Sequence, residues 1–134
     1  MNRHASIVAA EGSLGQRLAA TRALTMALAE PLSEADACLQ PDPDASPAKW
    51  HLAHTTWFFE TFVLRDHVPG YQRFDERYHF LFNSYYEGEG ERHPRPKRGM
   101  LSRPSLDEVR AAHEHLESNA SFGKIVLLID DQAK

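Results

Sequence analysis

Hydrophobic positions are densest between residues 46 and 70, and this stretch predicts a long helix around which the chain is organised. Ser46 is a suitable N-cap, and Pro47 suits the first helical position, because the first N–H groups of a helix have no partner within it. Pro69 and Gly70 mark its end. Apolar residues cover nearly its whole circumference, as in a helix buried on most sides: Trp50, Leu52, Ala53, Trp57, Phe58, Phe59, Phe62, Val63 and Leu64.

An earlier helix is predicted to start at the capping-box pattern Ser13 to Gln16 and to run to about Glu30, where Pro31 breaks it. Its apolar stripe has helical spacing, i, i+3 and i+4: Leu14, Leu18, Thr21, Leu24, Thr25 and Leu28. Ser33 predicts the cap of a short second helix.

A third long helix is predicted to begin near Pro104 and Ser105 and to carry Leu106, Val109 and Leu116. The segment before it, residues 71–103, fits neither the helical nor the strand period. It is rich in Gly, Pro and aromatic residues, so we expect a long irregular loop whose aromatic side chains pack on the core. Residues 124–130 are strand-like.

The pattern therefore predicts an all-α fold with three parts. Residues 1–12 form a flexible N-terminus, residues 13–120 the helical domain, and residues 121–134 an atypical tail. The length of 134 residues suits one domain, and the net charge of -4 argues against a general nucleic-acid binder. No apolar stretch approaches the ~20 residues that span a bilayer. The single cysteine excludes an intrachain disulfide and fits a reducing compartment, so we predict a cytoplasmic protein without a membrane partner.

His51 and His54 are candidate metal ligands, because they lie three residues apart on one face of the predicted buried helix. A buried histidine must hydrogen-bond or bind a ligand. On spacing alone, a core histidine that is hydrogen-bonded to a backbone carbonyl is the favoured interpretation of His54. For Glu60 we expect a surface or helix-pairing role rather than a contact to a ligand histidine.

Arg95 and Arg98 are candidate anion-binding residues within a basic stretch. From residue 92 to residue 103 there are five basic residues and no acidic one, in a chain that is negative overall. Arginine suits carboxylate binding because its planar guanidinium matches two oxygens. A solvated basic loop explains the same pattern equally well.

Residues from about Leu18 to Val109, about two thirds of the chain, resemble the N-terminal domain of ergothioneine-biosynthesis sulfoxide synthases, which belongs to the DinB-like superfamily. The joint occurrence of several sequence blocks is more specific than a lone His-x-x-His. The blocks are Thr21-Arg22-Ala23-Leu24-Thr25, Pro31-Leu32-Ser33, Pro43-Asp44-Ala45-Ser46-Pro47, Lys49-Trp50-His51-Leu52-Ala53-His54-Thr55, Trp57-Phe58-Phe59-Glu60, Leu81-Phe82-Asn83-Ser84-Tyr85-Tyr86-Glu87, His93-Pro94-Arg95 and Arg98-Gly99.

The resemblance implies a DinB-like up-down four-helix bundle that binds iron(II) through three histidines. Members of this family use O₂ to join the sulfur of a small-molecule thiol to the imidazole of trimethylhistidine. By resemblance, His54 is an iron ligand, and His51 ranks second. Arg95 and Arg98 match an arginine pair that binds carboxylates of the thiol substrate.

The sequence departs from the family pattern after the third helix. The other two iron ligands of relatives lie in a His-x-x-x-His-x-Glu pattern, which does not occur here. His113 and His115 are two residues apart, so they fall on roughly opposite faces of a helix and cannot chelate one ion together. The large C-terminal catalytic domain is also absent, and the chain changes character near Asn119. We therefore expect an incomplete bundle with an incomplete ligand set that is inactive alone. Such a chain would be a truncated or frame-shifted reading of a longer gene, or a degenerate standalone domain.

Two other functions remain open. A truncated bundle leaves an apolar face unburied, and such a face favours a non-catalytic module that self-associates. The wider superfamily also offers a metal-dependent thiol transferase or hydrolase. That function would need three ligands as well.

Overall fold

The computed structural model describes residues 12–118, so the predictions for residues 1–11 and for the strand-like tail lie outside the described residues. The described part is all-α, as predicted, and an isolated bridge between Asp42 and Ala45 is its one β-type pairing. The α-helices are α1 (Leu14–Ala29), α2 (Glu34–Cys38), α3 (Ala48–Phe59), α4 (Arg65–His67), α5 (Tyr78–Leu81) and α6 (Leu106–Ser118). A π-helix at Glu60–Leu64 continues α3 into α4, and 3-10 turns lie at Glu87–Glu89 and Arg95–Met100.

Helices α1, α3 and α6 form the bundle, and α1 runs antiparallel to the other two. The first residues of α3 and α6 meet at Glu34, which is hydrogen-bonded to both. The opposite ends of these helices meet where Leu64 and Leu116 share one cluster. Helix α1 ends beside the start of α6 and begins beside its end. None of the helices between residues 12 and 118 is long and apolar enough to cross a membrane.

Helix α1 has the predicted capping box, in which Ser13 and Gln16 bond each other's backbone N–H groups. The side that it buries differs from the predicted stripe. Leu24 and Leu28 are 55% and 69% exposed, whereas Arg22 is 4% exposed. The apolar stripe thus predicted the helix correctly, but it does not mark the side that is buried. The side that faces α6 is occupied by Arg22, which is hydrogen-bonded to that helix.

The start of α3 and the role of Glu60 also differ from the prediction. Pro47 is the N-cap and Ser46 precedes it, because the hydroxyl of Ser46 accepts a hydrogen bond from Arg98 instead of capping the helix. Glu60 is buried rather than at the surface, and its carboxylate accepts bonds from the Tyr71 hydroxyl at 2.8 Å and the Phe74 N–H at 2.9 Å. Burial raises the pKa of this carboxyl, while the two donors oppose the rise.

The segment between α4 and α6 is irregular, as predicted, and it holds only short helical turns. The expectation that its aromatic side chains pack on the core is confirmed for Tyr78 and Phe82, which are each 1% exposed and make an edge contact at 4.7 Å. It is wrong for Phe74, Phe80 and Tyr85, which are exposed. The packing of Tyr78 and Phe82 holds the segment against α3. It thereby places residues 84–98 beside the histidines of that helix.

Candidate functional site

One surface cavity of about 410 Å³ brings together the four residues that the sequence singled out. We call it the Arg98 cavity. Helix α3 contributes His51 and His54, and the 3-10 turn before α6 contributes Arg95 and Arg98. The remaining lining residues come from the loop before α3, from α3 and from the irregular segment: Asp44, Ala45, Ser46, Trp50, Ser84 and Tyr85.

His54 is held rigidly at this cavity. Its ring stacks between Trp50, at 4.8 Å and 11°, and Trp57, at 5.5 Å and 25°. Its Nδ1 lies 2.7 Å from the carbonyl oxygen of Phe82. A carbonyl can only accept, so Nδ1 carries the proton and Nε2 keeps its lone pair. This contact fits a core histidine, and it is also the arrangement that commonly orients a metal-binding imidazole.

His51 lies at the edge of the cavity and is exposed. Its ring makes an edge contact with Trp50 at 5.5 Å. The pKa values of both histidines are lowered, chiefly by burial, and the nearby charge of Arg98 adds to the lowering. The lowered pKa favours the neutral ring, which is the form that binds a metal ion.

The described residues do not fit a complete iron site. Among residues 12–118, no group of three His, Cys, Asp or Glu side chains is placed to hold one metal ion. His113 lies 1% exposed in the bundle, with its Nε2 3.4 Å from a Glu117 oxygen, while the ring of His115 contacts that of Phe74. Neither joins His54. Among the described residues, His51 is therefore the one candidate ligand that lies beside His54.

Arg98 is the dominant feature of the cavity. Its side chain is 3% exposed, and its guanidinium lies 3.6 Å above the ring of Trp50. It donates to the Ser46 hydroxyl at 2.7 Å and to the Ser84 carbonyl at 3.3 Å, while its Nε has no partner. Burial, Arg95 and Arg92 lower its pKa to about 10. Arg98 is thus a buried cation beside like charges, without an acidic partner among the described residues.

Sequence reasoning missed the residues that position Arg98. Ser46 was assigned to a helix cap, and Ser84 carried no signal of its own. The indole of Trp50 is fixed by a hydrogen bond from its Nε1 to the Leu81 carbonyl at 3.1 Å. These residues are far from Arg98 in sequence, so no local spacing could have joined them.

A second, apolar depression of about 400 Å³ lies between α1 and α3, and we call it the α1–α3 groove. His51 lines both it and the Arg98 cavity, so the two sites adjoin. Its other lining residues are mostly apolar: Thr25, Leu28, Ala29, Leu32, Ala48, Leu52 and Thr55.

The fold and the site together define a small helical-bundle protein with a cavity that brings two arginines beside two histidines. Residues 17–118 match the sequence profile of the DinB superfamily, and the chain belongs to this superfamily. No curated protein matches the chain significantly.

Proposed function

We propose that this chain is the N-terminal, thiol-binding part of an ergothioneine-biosynthesis sulfoxide synthase. In this proposal Arg98 and Arg95 bind a carboxylate of the small thiol, and His54 is the iron ligand that this part supplies. One observation carries the proposal: a buried guanidinium that has no acidic partner among the described residues shares a cavity with His54.

Burying the charge of Arg98 without a counter-charge has a cost in free energy. Arg22 and Lys49 are similarly buried, but each has an acidic partner, at 2.8 Å and 2.9 Å. Arg98 makes no ion pair within residues 12–118. A ligand carboxylate would supply the missing counter-charge. The contact with the ring of Trp50 holds the guanidinium in position for it.

In this proposal the described residues bind the thiol, whereas catalysis needs groups outside residues 12–118. Iron held by three histidines requires two ligands beyond His54, and His51 is the one neighbouring candidate between residues 12 and 118. We therefore expect no sulfoxide synthesis by the chain alone. A metal-dependent thiol transferase or hydrolase would meet the same shortage of ligands.

The first test measures binding of β-mercaptopropionate, a thiol with one carboxylate, by calorimetry. Replacing Arg98 by Met should weaken binding at least about tenfold, because a charge-assisted hydrogen bond contributes about 1.5–3 kcal/mol. Lys97→Met is the matched control. Lys97 is exposed and does not line the cavity, so this substitution removes one positive charge outside the cavity. Equal binding by the two variants would exclude the Arg98 cavity as the thiol site.

A second test is an anaerobic iron(II) titration of the chain beside its His54→Ala variant. We expect no stoichiometric binding by the monomer, because the ligand set of the described residues is incomplete. Stoichiometric binding that the substitution abolishes would contradict this expectation. It would place the remaining ligands in a second copy or outside residues 12–118.

A second function, a non-catalytic module that associates with another copy of itself, is favoured by the exposure of Leu24 and Leu28 beside the α1–α3 groove. Apolar side chains clustered on one helix face favour association. This function and thiol binding use different surfaces, so one does not exclude the other.

A further inference from the structure

The side chain of Gln40 joins two segments that line the Arg98 cavity, although Gln40 does not line the cavity itself. Its Oε1 accepts a hydrogen bond from the N–H of Gly99 at 2.7 Å, and its Nε2 donates to the carbonyl of Arg95 at 2.8 Å. Nε2 also donates to the Pro43 carbonyl, at 3.4 Å. One amide thus holds the 3-10 turn that carries both arginines against the loop before α3.

The 3-10 turn Arg95–Met100 gains most from contacts of this kind. Hydrogen bonds in a 3-10 helix have poorer geometry than those in an α-helix, so such helices form only short runs. Pro96 also has no N–H to donate within the turn. The two bonds from Gln40 reach Arg95 and the residue that follows Arg98, so they hold the backbone on both sides of the arginine pair.

Gly99 shows how closely this turn lies against Gln40. A Cβ atom at Gly99 would lie 2.7 Å from the Cβ of Gln40, which is closer than side chains approach one another, and 3.5 Å from the Cys38 carbonyl oxygen. Glycine has no Cβ and so permits this approach of the backbone. The bond between the Gly99 N–H and Gln40 therefore forms at a contact that any other residue would push apart.

The two arginines differ in what else holds them. The guanidinium of Arg98 contacts Trp50 and donates to Ser46 and Ser84. The side chain of Arg95, in contrast, forms no hydrogen bond or ion pair within residues 12–118. Its place at the cavity follows from its backbone, which is bonded to Gln40.

We propose that Gln40 is a positioning residue of the Arg98 cavity, which acts through the 3-10 turn to hold Arg95 where it binds an anion together with Arg98. This inference rests on the proposed function, because it requires that the two arginines bind a carboxylate. Gln40 itself does not contact the ligand.

The test measures binding of β-mercaptopropionate to the full chain by calorimetry under anaerobic, reducing conditions. Gln40→Leu keeps the size of the side chain and removes its hydrogen bonds. We expect it to weaken binding about fivefold, which corresponds to about 1 kcal/mol. Gly99→Ala disturbs the same contact from the other side and should also weaken binding.

Gln72→Leu is the matched control, because Gln72 is exposed and does not line the cavity. This variant should bind β-mercaptopropionate as the original chain does. Thermal unfolding of each variant checks that the fold is intact.

A double-mutant cycle separates positioning from a general effect on structure. If Gln40 acts through Arg95, Gln40→Leu should weaken binding by less than about twofold in the Arg95→Met background, because the group that it positions is no longer there. A purely structural role of Gln40 would give the same loss of affinity with and without the Arg95 side chain.

The outcomes also separate this inference from the proposed function. Unchanged binding by Gln40→Leu, or a loss that does not depend on Arg95, would overturn the role of Gln40 and leave the carboxylate site in place, provided that Arg98→Met weakens binding. An Arg95→Met variant that binds as the original chain does would overturn it as well. Unchanged binding by Arg98→Met would overturn the proposed function, and the positioning role with it.

Discussion

Three cationic side chains are buried among the described residues, and they differ in whether an acidic side chain neutralises their charge. Arg22 pairs with Glu117, and Lys49 pairs with Glu34. Both cations therefore complete contacts between helices. Arg98 has hydroxyl, carbonyl and aromatic partners but no acidic one. Its positive charge therefore has no counter-charge among the described residues, and this is the residue-level reason for proposing that Arg98 belongs to a binding site.

The buried side chain of His113 predicts that the stability of the chain depends on pH. Burial, with the nearby Arg22 charge, lowers its pKa from 6.5 to about 4, while Glu117 opposes the change. The unfolded chain therefore binds a proton near pH 6.5 that the folded chain excludes until about pH 4. The contribution of His113 to the free energy of unfolding is therefore complete above pH 6.5. It is lost as the pH falls from 6.5 to about 4, which lowers the free energy of unfolding by up to about 3 kcal/mol.

Urea unfolding of the original chain and of His113→Gln, measured at several pH values from 7 to 4, tests this prediction. The glutamine variant does not titrate, so its stability should decline less over this range. A control, His67→Gln, removes an exposed histidine on α4 and should keep the original slope. Parallel pH curves for the original chain and the His113 variant would show that other groups cause the decline.

Glu34 joins three helices, which makes α2 more than a short connector. One carboxylate oxygen accepts from Lys49 at the start of α3 at 2.9 Å, and the other accepts from the backbone N–H of Leu106 at 2.5 Å. Lys49 also donates to the Leu101 carbonyl at 3.0 Å. Partial burial raises the pKa of Glu34, but the Lys49 and Leu106 donors outweigh it and the net pKa is lowered.

We expect Glu34→Ala to destabilise the chain by about 2 kcal/mol, because it leaves the buried Lys49 ammonium with one carbonyl partner. The double variant Glu34→Ala, Lys49→Met should recover part of this loss, since it removes the unpaired charge. Chemical unfolding of the two single variants and the double variant measures the coupling. Strict additivity of the two substitutions would mean that the ion pair contributes no net stability.

Helix caps were predictable where the signal is local and not where a distant residue intervenes. The Ser13 and Ser33 caps each depend on a partner three residues away, and both form. Ser46 has the same chemistry, but Arg98, fifty-two positions further on, takes its hydroxyl. Glu60 was assigned a surface or helix-pairing role because its partners, Tyr71 and Phe74, lie in the irregular segment, whose path the sequence pattern did not determine.

At the scale of the whole molecule, the resemblance named His51, His54, Arg95 and Arg98, and the fold places them around one cavity. Residue spacing alone left each of them with an equal or stronger structural explanation. The sequence did not predict Asp44 as part of the site, because its proximity to Arg98 depends on how residues 71–103 pack back onto α3. Long-range packing of this kind leaves no periodic signal.

The outer face of α1 is also defined only in the folded molecule. Between Leu18 and Ala29 the single charged residue is Arg22, and its side chain points inward to α6. The outward face is consequently uncharged and carries Leu24 and Leu28 beside the α1–α3 groove. One surface of the chain thus carries both the protruding Leu24 and Leu28 and the α1–α3 groove. In a two-fold symmetric dimer the same patch of each copy contacts the other, so such a patch must be complementary to itself.

We predict that the chain self-associates through this face and that Leu28→Glu shifts it toward monomer, because a dimer would have to bury the new charge. Leu39→Glu is the matched control: Leu39 is 66% exposed, close to the 69% of Leu28, and lies outside the groove. Sedimentation velocity over a concentration series, with and without iron(II), measures the association. Association that requires iron(II) would instead point to histidines shared between copies, and a chain that stays monomeric at every concentration would contradict the association module.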